Sequence, residues 1–313
     1  MDAPGRVVHP LLILALLAVA VVGYLAGHRQ SAPRESADTA PSVTRSLTEA
    51  GLLLEYPLGW ERSATSTPVP GLALTGAVTL RPRGSSTAGL LVGQLPTGEP
   101  GPLPAAFLTA LKKPPHVEVV DLVSTQAYRY SQLALAGFGS LDLYVIPSAG
   151  HAGRAIACFA RQALTPAGQQ CEQIVAGVAV TGPPTGTLTP EPAYARQLAA
   201  TIGSLETERA GARSQMSSGE SPSIVSSAAA GLASHLASAA TSLAALQPPP
   251  PVAAQAAVLI GALRSAGSAY SALATAAREE SVAAYDTART SVGAAEKQVD
   301  AGLAGFTLLG YGA

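Results

Sequence analysis

"IACFARQALTPAGQQCEQIVAGV", residues 156–178, changes its hydrophobic period part-way along. Ile156, Cys158 and Ala160 alternate, which places them on one side of an extended strand. Beyond the loop holding Pro166 and Gly168, Cys171, Ile174, Val175 and Val178 recur at i, i+3, i+4 and i+7, one face of a helix. The two cysteines, the only ones in the chain, therefore point from a strand and a helix toward a shared core. Bonded together, they would pin a closing helix onto a sheet.

Whether they bond depends on the compartment, and that is read near the amino terminus. Leu11 to Gly27 (LLILALLAVAVVGYLAG) carries no charge and extends back to Val7. A membrane-crossing helix needs about 20 apolar residues, which residues 7–27 supply. A cleaved signal peptide would end in small residues at the A-x-A positions, whereas Tyr24-Leu25-Ala26 puts a bulky Tyr at the first of them. The expectation is a short cytoplasmic tail (1–6), an anchor (7–27) and export of everything that follows, in a single-pass cell-membrane protein. Positive charge orients it only weakly, with Arg6 on one side and Arg29 and Arg34 on the other. Outside the cytoplasm a lone pair of cysteines reads as a disulfide. Zinc would need more ligands, and His9, His28, His116, His151 and His235 have no metal-type spacing. A reactive thiol would want a positioned base that the sequence does not identify.

Residues 28–46 are polar, with Pro33 and Pro41 and no apolar period, and read as a disordered tether. From Leu47, short apolar runs alternate with Gly and Pro. Gly51–Tyr56, Leu72–Arg81, Ala88–Gln94, Val117–Val123, Ala127–Leu135, Leu141–Ile146 and Arg154–Ala160 read as strands, and Pro104–Lys113 as a short helix. With neighbours mostly antiparallel, the α+β domain spans 47–183.

Beyond the Gly/Pro/Thr run TGPPTGTLTPEP (181–192), Ala, Ser and Leu dominate, and residues 188–309 read as an antiparallel helical hairpin or bundle. Helical stretches run over 191–216, 222–246, 252–277 and 281–308. Val252, Ala256, Leu259, Leu263, Ala266, Tyr270, Leu273 and Ala277 step by four and three, a coiled-coil period. Pro248 to Pro251 form a hard stop. Nothing between Arg278 and Ser281 is a breaker, so the last two stretches can join. The favoured arrangement is a hairpin of two long arms, 191–246 and 252–308, each about 80 Å at 1.5 Å per residue; a compact four-helix bundle is the alternative. A seam left open for a partner helix is the sharper reading of the stripes, against a bundle that buries its own.

"LLLEYPLGWERS" (52–63), a strand ending in Tyr-Pro-x-Gly-Trp, resembles the opening of PsbP-like and Mog1-like domains. "AYRYSQL" (127–133), "LDLYVIPSAG" (141–150) and the cysteine-bearing stretch are similar to extracytoplasmic relatives of that group on single-span actinobacterial membrane proteins. "AYSALATAAREESVAAYDTARTSVGAAE" (269–296) and "LLGYGA" (308–313) resemble the helical region that follows it in uncharacterised exported proteins. The resemblance covers about residues 47–181 and its motifs are structural. It implies an antiparallel sheet flanked by helices, a non-catalytic binding or scaffolding role, and no active site.

Composition and motifs narrow function further. With 4% aromatic residues, 12% charged residues and a net charge of −1, the chain lacks the basic patches and stacking aromatics of nucleic-acid binders. "GFGSLD" (137–142) misses the G-x-S-x-G nucleophile elbow. His116 and His151 read as loop histidines rather than triad members, and adjacent Glu279 and Glu280 do not face each other on a helix. No phosphate-binding or dinucleotide fingerprint is present, and no cofactor is expected. For binding, Trp60 and Tyr128-Arg129-Tyr130 are the candidates. As core residues they would plug and cap the sheet; exposed together they would form an aromatic and cationic patch suited to a peptide or cell-wall ligand. The expectation is a non-catalytic, membrane-anchored extracytoplasmic binding module. A structural spacer or an exported hydrolase are the alternatives. Its partners are the membrane itself and a cell-envelope protein or cell-wall ligand.

Overall fold

Ten strands and six helices build the fold, in a computed structural model that describes residues 44–65, 67–97, 101–148, 151–162, 166–181, 186–218 and 221–312. The expected anchor and most of the tether lie outside those residues. The main sheet is wholly antiparallel, with seven strands in the order β3 (Trp60–Arg62), β4 (Thr75–Pro82), β5 (Ala88–Gln94), β9 (His151–Ala160), β8 (Ser140–Ser148), β7 (Gln126–Ser131) and β6 (His116–Asp121). A smaller sheet joins β1 (Thr44–Glu49), β2 (Leu52–Pro57) and β10 (Ala179–Val180). The tether is thus shorter than expected: Thr44, Arg45 and Ser46 already pair with Pro57, Tyr56 and Glu55.

Alternation along the central strands feeds two cores. Leu90, Val92, Ile156 and Cys158 face one side of the sheet, where β2 supplies Leu52 and Leu54 and helix α2 (Pro166–Ala176) supplies Cys171, Ile174 and Val175. Leu91, Ala155, Ala157 and Phe159 face the other, together with Phe107 of the short helix α1 (Ala105–Ala110). Strand β5 is consequently buried on both faces and reads as a continuous apolar run rather than an alternating one.

Cys158 and Cys171 form a disulfide with a Cα–Cα separation of 5.8 Å. It ties α2 to β9 in the core where sequence periodicity put both residues. Closing a loop of this length contributes roughly 3 kcal/mol in the chain-entropy model. The Cys158→Ser/Cys171→Ser double variant should therefore unfold at a markedly lower urea concentration than the parent. Thiol titration of the native protein should find no free thiol, and two readily alkylated thiols would contradict the bond.

The carboxy-terminal region is a four-helix bundle of α3 (Pro192–Ser218), α4 (Pro222–Ala245), α5 (Ala253–Arg278) and α6 (Val282–Thr307). This replaces the favoured long-armed hairpin. Lengths of 27, 24, 26 and 26 residues give helices of about 40 Å. Of the two reversals that the bundle needs and the hairpin lacks, one falls between α3 and α4 and the other lies at Glu279–Ser281. The Glu280 N–H donates to Ala277 O and the Ser281 N–H to Ala276 O, a Schellman ending in which Glu280, at φ 50°, occupies the left-handed position usually given to Gly. The Ser281 hydroxyl then caps α6 by accepting from the Ala284 N–H. Helix α6 ends the same way, with Gly310 in the left-handed position and the Tyr311 N–H on Phe306 O.

All eight residues of the coiled-coil stripe in 252–277 are buried. So are Val225, Ala229, Leu232, Leu236, Ala239 and Leu243 of α4. The bundle fills its own seam. Helix α5 with its preceding turn (250–278) is the one described helix long and apolar enough to cross a membrane; here it packs against α4 and α6 as a core helix.

Residues Thr44–Ala313 form one compact body. The second core runs on from the sheet into the bundle through Leu188, Tyr194, Phe306 and Tyr311. The Tyr130 hydroxyl donates to Leu308 O at 2.8 Å, and the Leu188 N–H donates to Gln126 Oε1 at 2.7 Å. The core therefore passes from the sheet to the bundle without a break.

Candidate functional site

The four residues singled out for binding do not share a surface. Trp60, Tyr128 and Tyr130 are 1%, 0% and 0% exposed. Trp60 sits in the disulfide-side core and its indole N–H donates to Gln170 Oε1 of α2 at 3.1 Å. Tyr128 and Tyr130 lie on the opposite face, beneath the bundle. Alternation along β7 sends Arg129 away from both tyrosines. An exposed aromatic and cationic patch of these residues is therefore replaced by two core fillings and one separate cation. Burial accounts for most of the rise in the Tyr128 and Tyr130 hydroxyl pKa values, so both stay protonated across the physiological range.

Arg129 gathers acids. Its guanidinium contacts Glu118 at 3.0 Å, Asp142 at 3.1 Å and Glu172 of α2 at 2.9 Å, and lies over the Tyr144 ring at 5.8 Å from its centroid. These groups belong to β6, β7, β8 and α2, so the cluster clips the closing helix to the sheet beside the disulfide. With Arg129 held by three carboxylates, little of its charge is left for a ligand.

A second charged cluster lies inside the bundle, where apolar periodicity gave no sign of it. Arg209 of α3, 1% exposed, is ion-paired to Glu206, to Glu296 and, at 2.7 Å, to Asp300. Arg213 shares Glu296, and the Tyr270 hydroxyl of α5 donates to Glu296 Oε1 at 2.7 Å. Burial alone would raise the Glu296 carboxyl; hydrogen bonds from Arg209 and Tyr270 and the charge of both arginines outweigh it and hold the group below the usual range. Burial together with the neighbouring carboxylate pushes the Tyr270 hydroxyl up to about 12. The legible signal was complementary spacing: Arg209 and Arg213 are four apart on α3, as are Glu296 and Asp300 on α6. Such a set, with both cations paired across the helices, fixes the register of α3 against α6.

The residues considered for catalysis stay apart. His116 lies at the start of edge strand β6 beside Ser131. Ser140 opens β8, and Glu279 and Glu280 are exposed at the helix reversal. Among the described residues no three His, Cys, Asp or Glu side chains converge as a metal site.

The end of the bundle remote from the sheet is different in character. Pro222 and Val225 of α4, Ala276 and Ala277 of α5, and Val282 and Tyr285 of α6 line an open groove of about 320 Å³. Val282 is 76% exposed and nearby Ile224 46%. One of the four exposed large hydrophobics among the described residues, Val282, thus lines the groove, and a second, Ile224, precedes the lining residue Val225. The exposed seam that the stripes suggested is confined to this tip.

Neither a family model nor a curated protein matches the chain.

Proposed function

We propose that the chain is a non-catalytic, membrane-anchored extracytoplasmic interaction module that holds a partner protein of the cell envelope at the tip of its helical bundle. The observation that carries this reading is the largely aliphatic groove between Val225, Ala277 and the exposed Val282, with exposed Ile224 next to Val225 in the chain. A contiguous apolar surface rimmed by polar groups marks an interaction site more often than chance exposure does. Aliphatic lining suits a protein side chain. A cell-wall glycan would call for several exposed aromatic platforms, whereas Tyr285 is the one aromatic of this lining and Trp60, Tyr128 and Tyr130 are buried. The disulfide supports an oxidising compartment, and the apolar run at 7–27 supports the tether. The PsbP/Mog1-like resemblance of the front half fits a binding role without an active site. One feature favours the spacer as the second reading: the continuous core joining sheet to bundle, which makes Thr44–Ala313 a stiff body.

Two experiments test the proposal. A reporter active only outside the cytoplasm, fused after Ala313, should give signal while the full-length chain stays in the membrane fraction; a soluble product starting near Ser31 would remove the anchor. A photo-crosslinking residue at Val282 in intact cells should yield a discrete heavier adduct that Ile224→Asp abolishes, with none from exposed Thr287. Equal labelling from both positions, or none from either, would leave the spacer.

A further inference from the structure

Strands β7 and β8 pair only between Tyr128↔Val145 and Tyr130↔Leu143. Past that point they part. Ser140, Leu141 and Asp142 remain bonded to β9, while the other chain swings away at Gln132, which takes a left-handed φ of 58°. A non-Gly residue in that conformation costs about 1 kcal/mol, so the divergence is held by its surroundings. The Lys112 N–H donates to Ala134 O at 3.1 Å, fastening the segment after α1 to the far wall. Pro114 and Pro115 restrict the chain that follows.

The gap is a crevice of about 420 Å³, within the size range of small-molecule sites. Lys112 and Lys113 stand on one wall and Gln132 and Ser140 on the others, with Phe138 as half-buried apolar surface. The chain has only three lysines, and two of them are side by side here. Among the described residues neither ammonium has a carboxylate within 4 Å; the one side-chain contact is Lys113 Nζ to Gln132 Oε1 at 3.5 Å. The sole carboxylate of the lining, Asp142, is paired with Arg129 at 3.1 Å rather than with either lysine. Glu118 and Glu172 complete the shell of that arginine and do not line the crevice. The crevice therefore presents two cations with no carboxylate partner, an amide and a hydroxyl beside an aromatic ring.

We propose that this crevice binds a small anionic amphiphile: a phosphate or carboxylate group seated between Lys112, Lys113 and Gln132, with its apolar substituent against Phe138. Ammonium groups act as point charges without the planar fork of arginine, so they accept either oxyanion and leave discrimination to the apolar part. Such chemistry is found both in a soluble small acid and in an anionic lipid headgroup. The site lies in the sheet, and its test is independent of the bundle tip.

The lysine count supplies the assay. Exposed Lys297 on α6 is an internal reference for acetylation followed by peptide mass spectrometry on the full chain in neutral detergent. Saturating hexyl phosphate should slow acetylation of Lys112 and Lys113 at least several-fold and leave Lys297 unchanged. Hexanol should protect neither, and inorganic phosphate should protect at far higher concentration only. The chain reconstituted in nanodiscs with and without an anionic phospholipid separates the sources: protection by the anionic bilayer assigns the headgroup, and protection by hexyl phosphate alone assigns a soluble acid. Lys112→Gln/Lys113→Gln should lower hexyl phosphate affinity at least tenfold in calorimetry without shifting Tm. Equal acetylation of all three lysines in every arm overturns the site. Protection by inorganic phosphate equal to that by hexyl phosphate overturns its apolar half.

Discussion

Arg209→Met should destabilise the protein by about 3–5 kcal/mol, the usual consequence of removing one member of a buried ion pair. The substitution keeps much of the side-chain volume, so the loss is electrostatic. Glu296, whose side chain is 11% exposed, would retain Arg213 and Tyr270 but lose its fully buried partner. Glu206 and Asp300, at 47% and 63% side-chain exposure, can turn to water. Replacing both members, as Arg209→Met/Glu296→Gln, should recover most of the loss, because glutamine still accepts from the Tyr270 hydroxyl and no unpaired buried charge remains. Urea unfolding of the full chain in neutral detergent measures both. A single variant within 1 kcal/mol of the parent would contradict the buried network, on the estimate above.

The same network sets a pH dependence. The folded-state pKa of Glu296 is depressed, so its contribution is present above the unfolded value of about 4.3. It is lost as pH falls through the folded value. Acidification below about pH 4 should therefore weaken the parent more than Glu296→Gln, and unfolding midpoints that drop in parallel would count against the assignment.

What the sequence disclosed and what it withheld follow one division. Periodicity reports which face of an element is buried, and it located the α5 stripe from Val252 to Ala277, the α4 stripe and the inward aim of both cysteines. It does not report which faces meet. Tyr128 and Trp60 are both aromatic and both on strands, yet they fill cores on opposite sides of the sheet. Turn chemistry was legible where Pro or Gly marks it, as at Pro248 to Pro251. It was silent at Glu280, where a Schellman hydrogen-bond pair imposes a left-handed backbone on a residue with no preference for it. The bundle needs that reversal and another between α3 and α4, and the hairpin has neither. The crevice was hidden for a related reason: Gln132 diverts β7 without any local signal, so the strand seemed to run on to Leu135.

Trp60→Ala should cost about 3–5 kcal/mol, as for other fully buried large aromatics, and the loss should be coupled to the disulfide. The β3 strand is three residues long and sits at the sheet edge, paired only to β4, so its hydrogen bonds alone hold it weakly. Trp60 packs beneath Leu80 and Leu90 in the core that includes both cysteines, and its indole N–H reaches Gln170, the residue immediately before Cys171. The tryptophan and the disulfide therefore fasten the same turn of α2 to the same face of the sheet. In a double-mutant cycle, residues sharing such a junction depart from additivity by about 0.5–3 kcal/mol. Once Cys158→Ser/Cys171→Ser has loosened α2, removing the indole should cost less than in the bonded protein. As the only Trp in the chain, residue 60 also reports directly on its own surroundings. Acrylamide should quench its fluorescence weakly in the parent and more strongly in the disulfide-free variant. Strong quenching in both, with additive stability losses, would mean that Trp60 is solvent-facing and independent of α2, and would return it to the candidates for ligand contact.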